Sequence, residues 1–237
     1  MAEEKQNNSI ILQNKPTHLF ILVWLKTAVF GFFVFFIFCT YLFISNGRIS
    51  LYIINGAIAE TAMLLVGLSM ILSSVSYFWN FADNTLIYRK YLGVGGLICG
   101  IIHALVILLF LGNEFPFPGY FLNYWIPISA GLLAIILFIF IVIISTKKMI
   151  ARIGGQRWRK TIRYVGYIGY AFVVIHISMQ KYPEWIAWIS AKNFQTLPPL
   201  SIFNTLFFFI VIIMRLALWR SLKTRKDTNI YTKRHEV

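Results

Sequence analysis

Residues 126–146 read IPISAGLLAIILFIFIVIIST, a run of 21 residues without a charged side chain. A transmembrane helix needs about 20 consecutive apolar residues, because each residue adds only about 1.5 Å along the helix axis. This run therefore predicts a membrane-spanning helix. Five further apolar runs occur, at 18–45, 51–78, 91–112, 164–180 and 200–219. The sequence predicts an all-α fold, a polytopic membrane protein built as a bundle of six transmembrane helices.

The composition of the chain agrees with a membrane protein. Hydrophobic residues make up 59% of it, charged residues 13%, and the mean hydropathy is +0.73, which is far more apolar than an ordinary soluble domain. Lys and Arg cluster before the third run, between the fourth and fifth, and after the sixth. Because basic residues gather on the cytoplasmic side, both termini are predicted to be cytoplasmic. This asymmetry explains the net charge of +14 without a nucleic-acid partner.

The chain divides into three parts. Residues 1–17 form a polar cytoplasmic lead, 18–219 the membrane domain, and 220–237 a basic cytoplasmic tail too short to fold alone. The lead lacks the order of a cleavable signal peptide, so the first helix is expected to be an uncleaved anchor. The loops near 113–125 and 182–199 are rich in aromatic residues and proline, which predicts a place in the outer headgroup layer. We expect a multi-pass protein of the inner or plasma membrane, in contact with lipids.

The sequence carries few motifs of soluble redox enzymes. Cys39 and Cys99 both lie in predicted helices, so neither a structural disulfide nor a Cys-x-x-Cys redox motif is expected. A glycine-rich phosphate loop, a dinucleotide fingerprint and a zinc-protease helix are also absent from the sequence. The chain is therefore expected to have no nucleotide or flavin domain of its own.

Two of the apolar runs share one pattern. Residues 90–103 read KYLGVGGLICGIIH, and residues 163–176, which lie 73 positions later, read RYVGYIGYAFVVIH. Both follow the pattern basic-Tyr-x-Gly-x-x-Gly-x6-His. Each histidine, His103 or His176, lies about 18 Å along the helix from its tyrosine. Because the membrane core is about 30 Å thick, the pattern predicts both imidazoles at one depth in its outer half.

Two imidazoles at one depth favour a metal centre. Ionisable side chains within a membrane are rare and usually functional, and imidazole is a common axial ligand of haem iron. We predict that His103 and His176 are the metal ligands of one b-type haem near the outer leaflet. Gly96, Gly100 and Gly169 are predicted to leave space for this cofactor or for a quinone. The alternative is that the histidines are packing residues or a proton relay and that the glycines serve close helix contacts.

Other polar residues of the predicted helices have less specific predicted roles. Glu60, near the predicted haem level, either pairs with Thr61, accepts a proton during electron transfer, or stays neutral and hydrogen-bonded. Lys181 has the best charge for contacting haem propionates, ahead of Asn113 and Gln180; the alternative is a solvated loop lysine. Three tyrosines at three-residue spacing suggest a relay or, alternatively, anchoring and packing: Tyr164, Tyr167 and Tyr170.

The residues around the two histidines resemble a known family. The sequence RKYLG at 89–93 is followed by IHA at 102–104, GGQRWRK stands at 154–160, and IH follows at 175–176. From about 88 to 178 the chain resembles the ferric reductase-like transmembrane domain family, and within it the haem-binding membrane subunits of the bacterial methionine sulfoxide reductase systems. The resemblance implies six helices that hold b-type haem and pass electrons across the membrane.

The chain departs from this family at the cytoplasmic end. Members with two stacked haems carry a further histidine there on each of the two helices. The corresponding positions hold Arg89 or Lys90 on the third helix and Ile162 or Arg163 on the fifth. One outer haem is therefore expected rather than two. A single outer haem is far from any cytoplasmic flavin, which favours a quinol donor that enters the membrane.

The expected function is electron transfer from quinol or a cytoplasmic reductase to an external redox partner, with one haem b as cofactor. No catalytic residue is assigned, because catalysis in the strict sense is expected to belong to a partner. Two alternatives stay open. In a haem-free transporter or channel, His103, His176 and Glu60 would form a polar path; in a scaffold subunit they would be packing residues.

Overall fold

The computed structural model describes residues 17–191 and 197–235. The described part of the chain is 90% helical and contains no strand. A 3₁₀ helix, Asn80–Tyr88, precedes the third membrane helix. The α-helices are α1 (Thr17–Asn46), α2 (Leu51–Phe78), α3 (Arg89–Phe110), α4 (Gly119–Asn123), α5 (Trp125–Ile144), α6 (Lys147–Ile153), α7 (Gly155–Ser190) and α8 (Leu200–His235). Six of these are long and apolar enough to cross a membrane, namely α1, α2, α3, α5, α7 and α8. The predicted all-α bundle with six membrane helices is confirmed.

Helix α2 shows how an apolar run can predict the bounds of a helix, whereas α7 and α8 extend well beyond the predicted runs at 164–180 and 200–219. It begins directly after Ser50, whose side chain accepts a hydrogen bond of 3.3 Å from the backbone N–H of Ile53. Such an N-cap satisfies a backbone donor that the first turn leaves free. The helix ends at Phe78, because Trp79 adopts an extended backbone with φ −137°. The bounds of α1, α3 and α5 also lie within two residues of the predicted runs.

The predicted loop at 182–199 is wrong for its first half, because α7 continues as a helix to Ser190. Hydropathy marks where a helix leaves the apolar core, whereas backbone hydrogen bonding can continue beyond it. Side-chain contacts hold this extension: Lys181 forms an ion pair of 2.6 Å with Glu184, and Trp185 Nε1 donates a hydrogen bond of 2.8 Å to Ser201 Oγ. The residues 192–196 of the predicted loop lie outside the described part.

The bundle consists of two helical hairpins with two further helices against the first. Helix α2 packs along α3, and α5 packs along α7; these are the two most extensive helix contacts. Each hairpin therefore contains one copy of the repeated pattern. Helices α1 and α8 both pack against α2, which makes α2 the central helix. A buried core joins α2, α7 and α8 through Met63, Val66, Tyr170 and Val211.

The two ends of the bundle differ in character. We call the end at which α3 and α7 begin the basic end, because Arg and Lys gather there, and the opposite end the histidine end. At the basic end Trp24 of α1 contacts Tyr91 of α3 with ring centroids 5.1 Å apart. Tyr77 of α2 shares a hydrogen bond of 3.0 Å with Ser221 of α8. The cytoplasmic location of the basic end stays a prediction.

The outer surface of the bundle is apolar. Large hydrophobic side chains point outward along the helices, for example Phe32 with 69% of its surface exposed and Leu109 with 68%. Such a surface is stable in hydrocarbon and not in water. The protein is therefore a multi-pass membrane protein whose helices contact lipid.

Candidate functional site

The two histidines of the repeat face each other between the hairpins. His103 of α3 and His176 of α7 have ring centroids 6.5 Å apart, and the ring planes make an angle of 77°. Both side chains are half-buried. They are 73 residues apart in sequence, so only the packing of the two hairpins brings them together.

Each imidazole is held by a backbone carbonyl of the preceding membrane helix. His103 Nδ1 lies 3.3 Å from the carbonyl oxygen of Asn55 in α2, and His176 Nδ1 lies 2.6 Å from that of Pro127 in α5. A carbonyl oxygen only accepts, so Nδ1 carries the proton and donates in both bonds. In this tautomer Nε2 has a free lone pair, as in most metal-bound histidines, whose other nitrogen donates to a carbonyl or carboxylate.

The two hydrogen bonds show that the internal repeat also includes the helix that precedes each histidine, which the sequence pattern does not reveal. The acceptor lies 48 residues before the histidine in the first hairpin and 49 residues before it in the second. In each hairpin, the first helix thus fixes the histidine of the second helix. The carbonyls of Asn55 and Pro127 lie near the beginnings of α2 and α5, which places the pair toward the histidine end.

Gly131 is a site residue that the sequence pattern does not predict. A Cβ atom added to it would lie 2.9 Å from Nδ1 of His176 and 3.1 Å from Cε1. These distances are shorter than an ordinary contact, so the imidazole of His176 packs directly on the backbone of α5. Gly131 follows Pro127 by one helical turn and lies on the same face. The spacing of Pro and Gly in the apolar run was the available signal, but only the fold links it to His176.

The glycines predicted to bind the cofactor lie in two kinds of surroundings. A Cβ at Gly96 would lie 2.9 Å from the carbonyl oxygen of Ala62 in α2, and one at Gly169 would lie 3.3 Å from the ring of Phe138 in α5. Neighbouring helices, rather than open space, therefore lie against these two glycines. A Cβ at Gly100 would meet nothing within 4 Å among the described residues, so a cofactor contact at Gly100 stays a prediction.

Glu60 is bound by Asn204 and not by Thr61. Asn204 Nδ2 of α8 donates to Glu60 Oε2 at 2.6 Å and to the backbone oxygen of Glu60 at 3.1 Å. Thr61 instead donates to the backbone oxygen of Ala57 at 2.7 Å. The predicted pairing with Thr61 is wrong, because the Thr61 hydroxyl bonds within its own helix. Glu60 and Asn204 are both buried, so this pair links α2 to α8 in the interior.

Lys181 lies at the histidine end, where its charge is already paired. Its ammonium group contacts Glu184 at 2.6 Å and Tyr52 Oη at 3.4 Å. It also lies 5.9 Å from the centre of the Tyr52 ring. The structure thus places Lys181 in an ion pair on the helical extension of α7, and its predicted contact with haem propionates remains untested.

No family model matches the sequence, and no curated protein matches it either. The resemblance to the ferric reductase-like family therefore stays a prediction. Within residues 19–191 and 197–224, the part of the chain whose side chains the structure describes, no third His, Cys, Asp or Glu joins the histidine pair to form a group of three possible metal ligands. The site consists of two imidazoles, two carbonyls and one glycine.

Proposed function

We propose that the protein transfers electrons across the membrane through one b-type haem, with His103 and His176 as its axial ligands. One observation carries the proposal: two imidazoles face each other at 6.5 Å, and each has its Nδ1 atom bonded to a backbone carbonyl. This arrangement leaves both Nε2 atoms available for a metal.

The distance between the rings suits a single metal ion. Metal–imidazole bonds are about 2.0–2.1 Å long, so two of them, with the radius of each ring added, separate the ring centroids by roughly 6 Å. The observed 6.5 Å is close to this value. Two imidazoles that bind one metal ion can take any mutual ring angle, so the angle of 77° does not exclude ligation by both histidines.

The number of protein ligands favours haem over a site made only of side chains. Structural zinc sites use four protein ligands and catalytic zinc sites three, whereas only the two histidines are available among the described residues. Haem iron needs two axial ligands at most, because the macrocycle supplies the other four. Bis-histidine haem is therefore the metal centre that this donor set fits best.

The residues of the chain would hold and tune the cofactor. The carbonyls of Asn55 and Pro127 keep the proton on Nδ1 and increase the basicity of Nε2. Gly131 lets the ring of His176 approach the backbone of α5, which restricts its rotation. When bound, haem supplies one-electron chemistry that no side chain provides.

The electron donor and acceptor follow from the resemblance and complete the proposal. Quinol or a cytoplasmic reductase donates, and a redox partner on the other side of the membrane accepts. A haem near the histidine end would be far from a donor that binds at the basic end. Quinol fits this position, because it enters the membrane and shortens the distance that the electron must cross to reach the haem.

The test is a reduced-minus-oxidised visible spectrum of protein purified from cells supplied with ample haem. The wild type and His18→Ala, which removes a histidine outside the pair, are expected to show a b-type α-band at one haem per chain. His103→Ala and His176→Ala are expected to lose it. A colourless wild type would overturn the proposal and favour the haem-free transporter or the scaffold. Reduction of the loaded protein by a quinol analogue then tests the donor.

A further inference from the structure

A second polar site lies at the basic end, far from the histidine pair. A cavity of about 310 Å³ opens between α2, α3, α7 and α8. Four arginines line it: Arg89, Arg159, Arg163 and Arg215. Arg89 and Arg215 are half-buried, whereas Arg159 and Arg163 are exposed. Three helices far apart in sequence thus direct guanidinium groups to one cavity.

These positive charges have no carboxylate partner within the described chain. Among the described residues, the ion pair between Lys181 and Glu184 lies at the histidine end, away from the cavity. Arg89, Arg163 and Arg215 line the same cavity, so their like charges repel one another. The Arg215 guanidinium is 5.6 Å from the centre of the Tyr167 ring, but a cation–π contact at a partly exposed site is weak and does not replace a counter-charge. Like charges gathered without a counter-charge are stabilised by a bound anion.

The cavity also contains neutral donors that lack an acceptor. Trp158 and Ser73 line the cavity, and their Nε1 and Oγ atoms are buried with no hydrogen-bond partner among the described residues. An indole N–H can only donate, and buried polar groups are normally paired. Both the charges and the unpaired donors therefore call for the same kind of ligand, an anion with several acceptor oxygens.

We propose that this cavity binds a phosphate group. The planar guanidinium group of arginine matches the oxygens of phosphate in bidentate geometry and binds it more specifically than lysine does. Two sources offer this group, the headgroup of an anionic phospholipid and soluble phosphate.

The experiment measures ligand-induced thermal stabilisation of the purified protein in an uncharged detergent. Phosphatidylglycerol, zwitterionic phosphatidylcholine and inorganic phosphate are titrated separately, with sodium chloride at matched ionic strength as the salt control. The wild type is expected to be stabilised by phosphatidylglycerol, inorganic phosphate or both, beyond the effects of phosphatidylcholine and chloride. Stabilisation by phosphatidylglycerol alone identifies a lipid headgroup, and stabilisation by inorganic phosphate identifies a soluble source.

Two double variants, each of which removes two exposed arginines, distinguish binding in the cavity from an effect of general surface charge. Arg159→Gln/Arg163→Gln removes two charges from the cavity, whereas Arg152→Gln/Arg157→Gln removes two exposed charges outside it. The cavity variant is expected to bind about tenfold or more weakly, because hydrogen bonds to charged groups are lost. The control pair is expected to stay within about twofold, since separated surface charges are screened.

The proposal is overturned if neither phosphate source stabilises the wild type, or if both arginine pairs weaken binding equally. Equal weakening would mean that the ligand responds to overall charge. If the Arg159→Gln/Arg163→Gln protein fails to fold, Arg215→Gln tests the same cavity from α8 by the same comparison. None of these variants alters the histidine pair, so the result is independent of haem binding.

Discussion

Asn204 binds Glu60 through two hydrogen bonds from one nitrogen, at 2.6 Å to the carboxylate and at 3.1 Å to the backbone oxygen. The two residues are 144 positions apart, and both are buried between α2 and α8. The amide thus satisfies a carboxyl group that water does not reach. Helix α8 carries neither histidine of the pair nor an acceptor of their hydrogen bonds, and this contact fixes it to the central helix α2.

The first prediction concerns this pair. Asn204→Leu leaves the Glu60 side chain buried without its donor and should destabilise the protein by about 1–3 kcal/mol. Glu60→Met/Asn204→Leu removes both polar partners and should recover most of that loss, because apolar groups of similar size can replace a buried polar pair. Unfolding in detergent measures both effects. A double variant no more stable than the single one would contradict the prediction.

Adjacent glycines in α3 provide the second prediction. Gly96→Ala places a methyl group 2.9 Å from the Ala62 carbonyl oxygen and 3.0 Å from the Val66 nitrogen, so α2 and α3 must separate at a cost of about 1–3 kcal/mol. Gly95→Ala meets only Leu65 Cδ1 at 3.7 Å and should be tolerated. Thermal unfolding distinguishes them, and equal stability of the two variants would show that the hairpin does not depend on this close contact.

The third prediction tests Gly131 as a residue that positions His176. Gly131→Ala puts a methyl group 2.9 Å from Nδ1 of His176 and must displace the ring or its bond to Pro127. We expect a lower haem-to-protein ratio or a shifted α-band in the visible spectrum. Gly95→Ala, which adds the same methyl group away from the histidines, should keep the wild-type spectrum. An unchanged spectrum in Gly131→Ala would mean that the ring does not rest on α5.

The fourth prediction compares a tyrosine whose hydroxyl has no hydrogen-bond partner among the described residues with one whose hydroxyl is hydrogen-bonded. The Tyr170 hydroxyl is buried against Gly67 and has no hydrogen-bond partner among the described residues, so Tyr170→Phe should be neutral or stabilising. Tyr41 donates to the Pro198 carbonyl oxygen at 2.7 Å, so Tyr41→Phe should cost about 0.5–1.5 kcal/mol. Unfolding of both variants measures the difference. A large loss in Tyr170→Phe would instead assign its hydroxyl a functional partner.

The membrane helices could be predicted from the sequence because lipid imposes one simple requirement, a long apolar run. The bounds of α2 were predicted correctly for this reason. The same reasoning failed beyond residue 180, because hydropathy does not report the contacts that continue α7, such as the bond from Trp185 to Ser201. A helix that leaves the membrane is held by tertiary contacts, and these are not visible in a local window.

The histidine pair could be predicted because it lies in an internal repeat, which relates two distant segments without a structure. Gly131 and Asn204 belong to no repeat. Their partners, His176 and Glu60, lie on other helices and are identified only by how the helices pack. Spacing alone also could not show whether the glycines beneath the histidines form a cofactor groove or a close contact between helices. Both arrangements need a small residue at the same position.

The acceptors of both imidazoles are backbone atoms, and this affects how the site can change in evolution. Every amino acid carries the same carbonyl oxygen, so substitutions at positions 55 and 127 alter a side chain and leave the acceptor in place while the helix persists. A carboxylate in that role could be lost by one mutation and would add a full negative charge beside the ring. The tautomer of each histidine is therefore inherited with the fold, whatever side chains stand at positions 55 and 127.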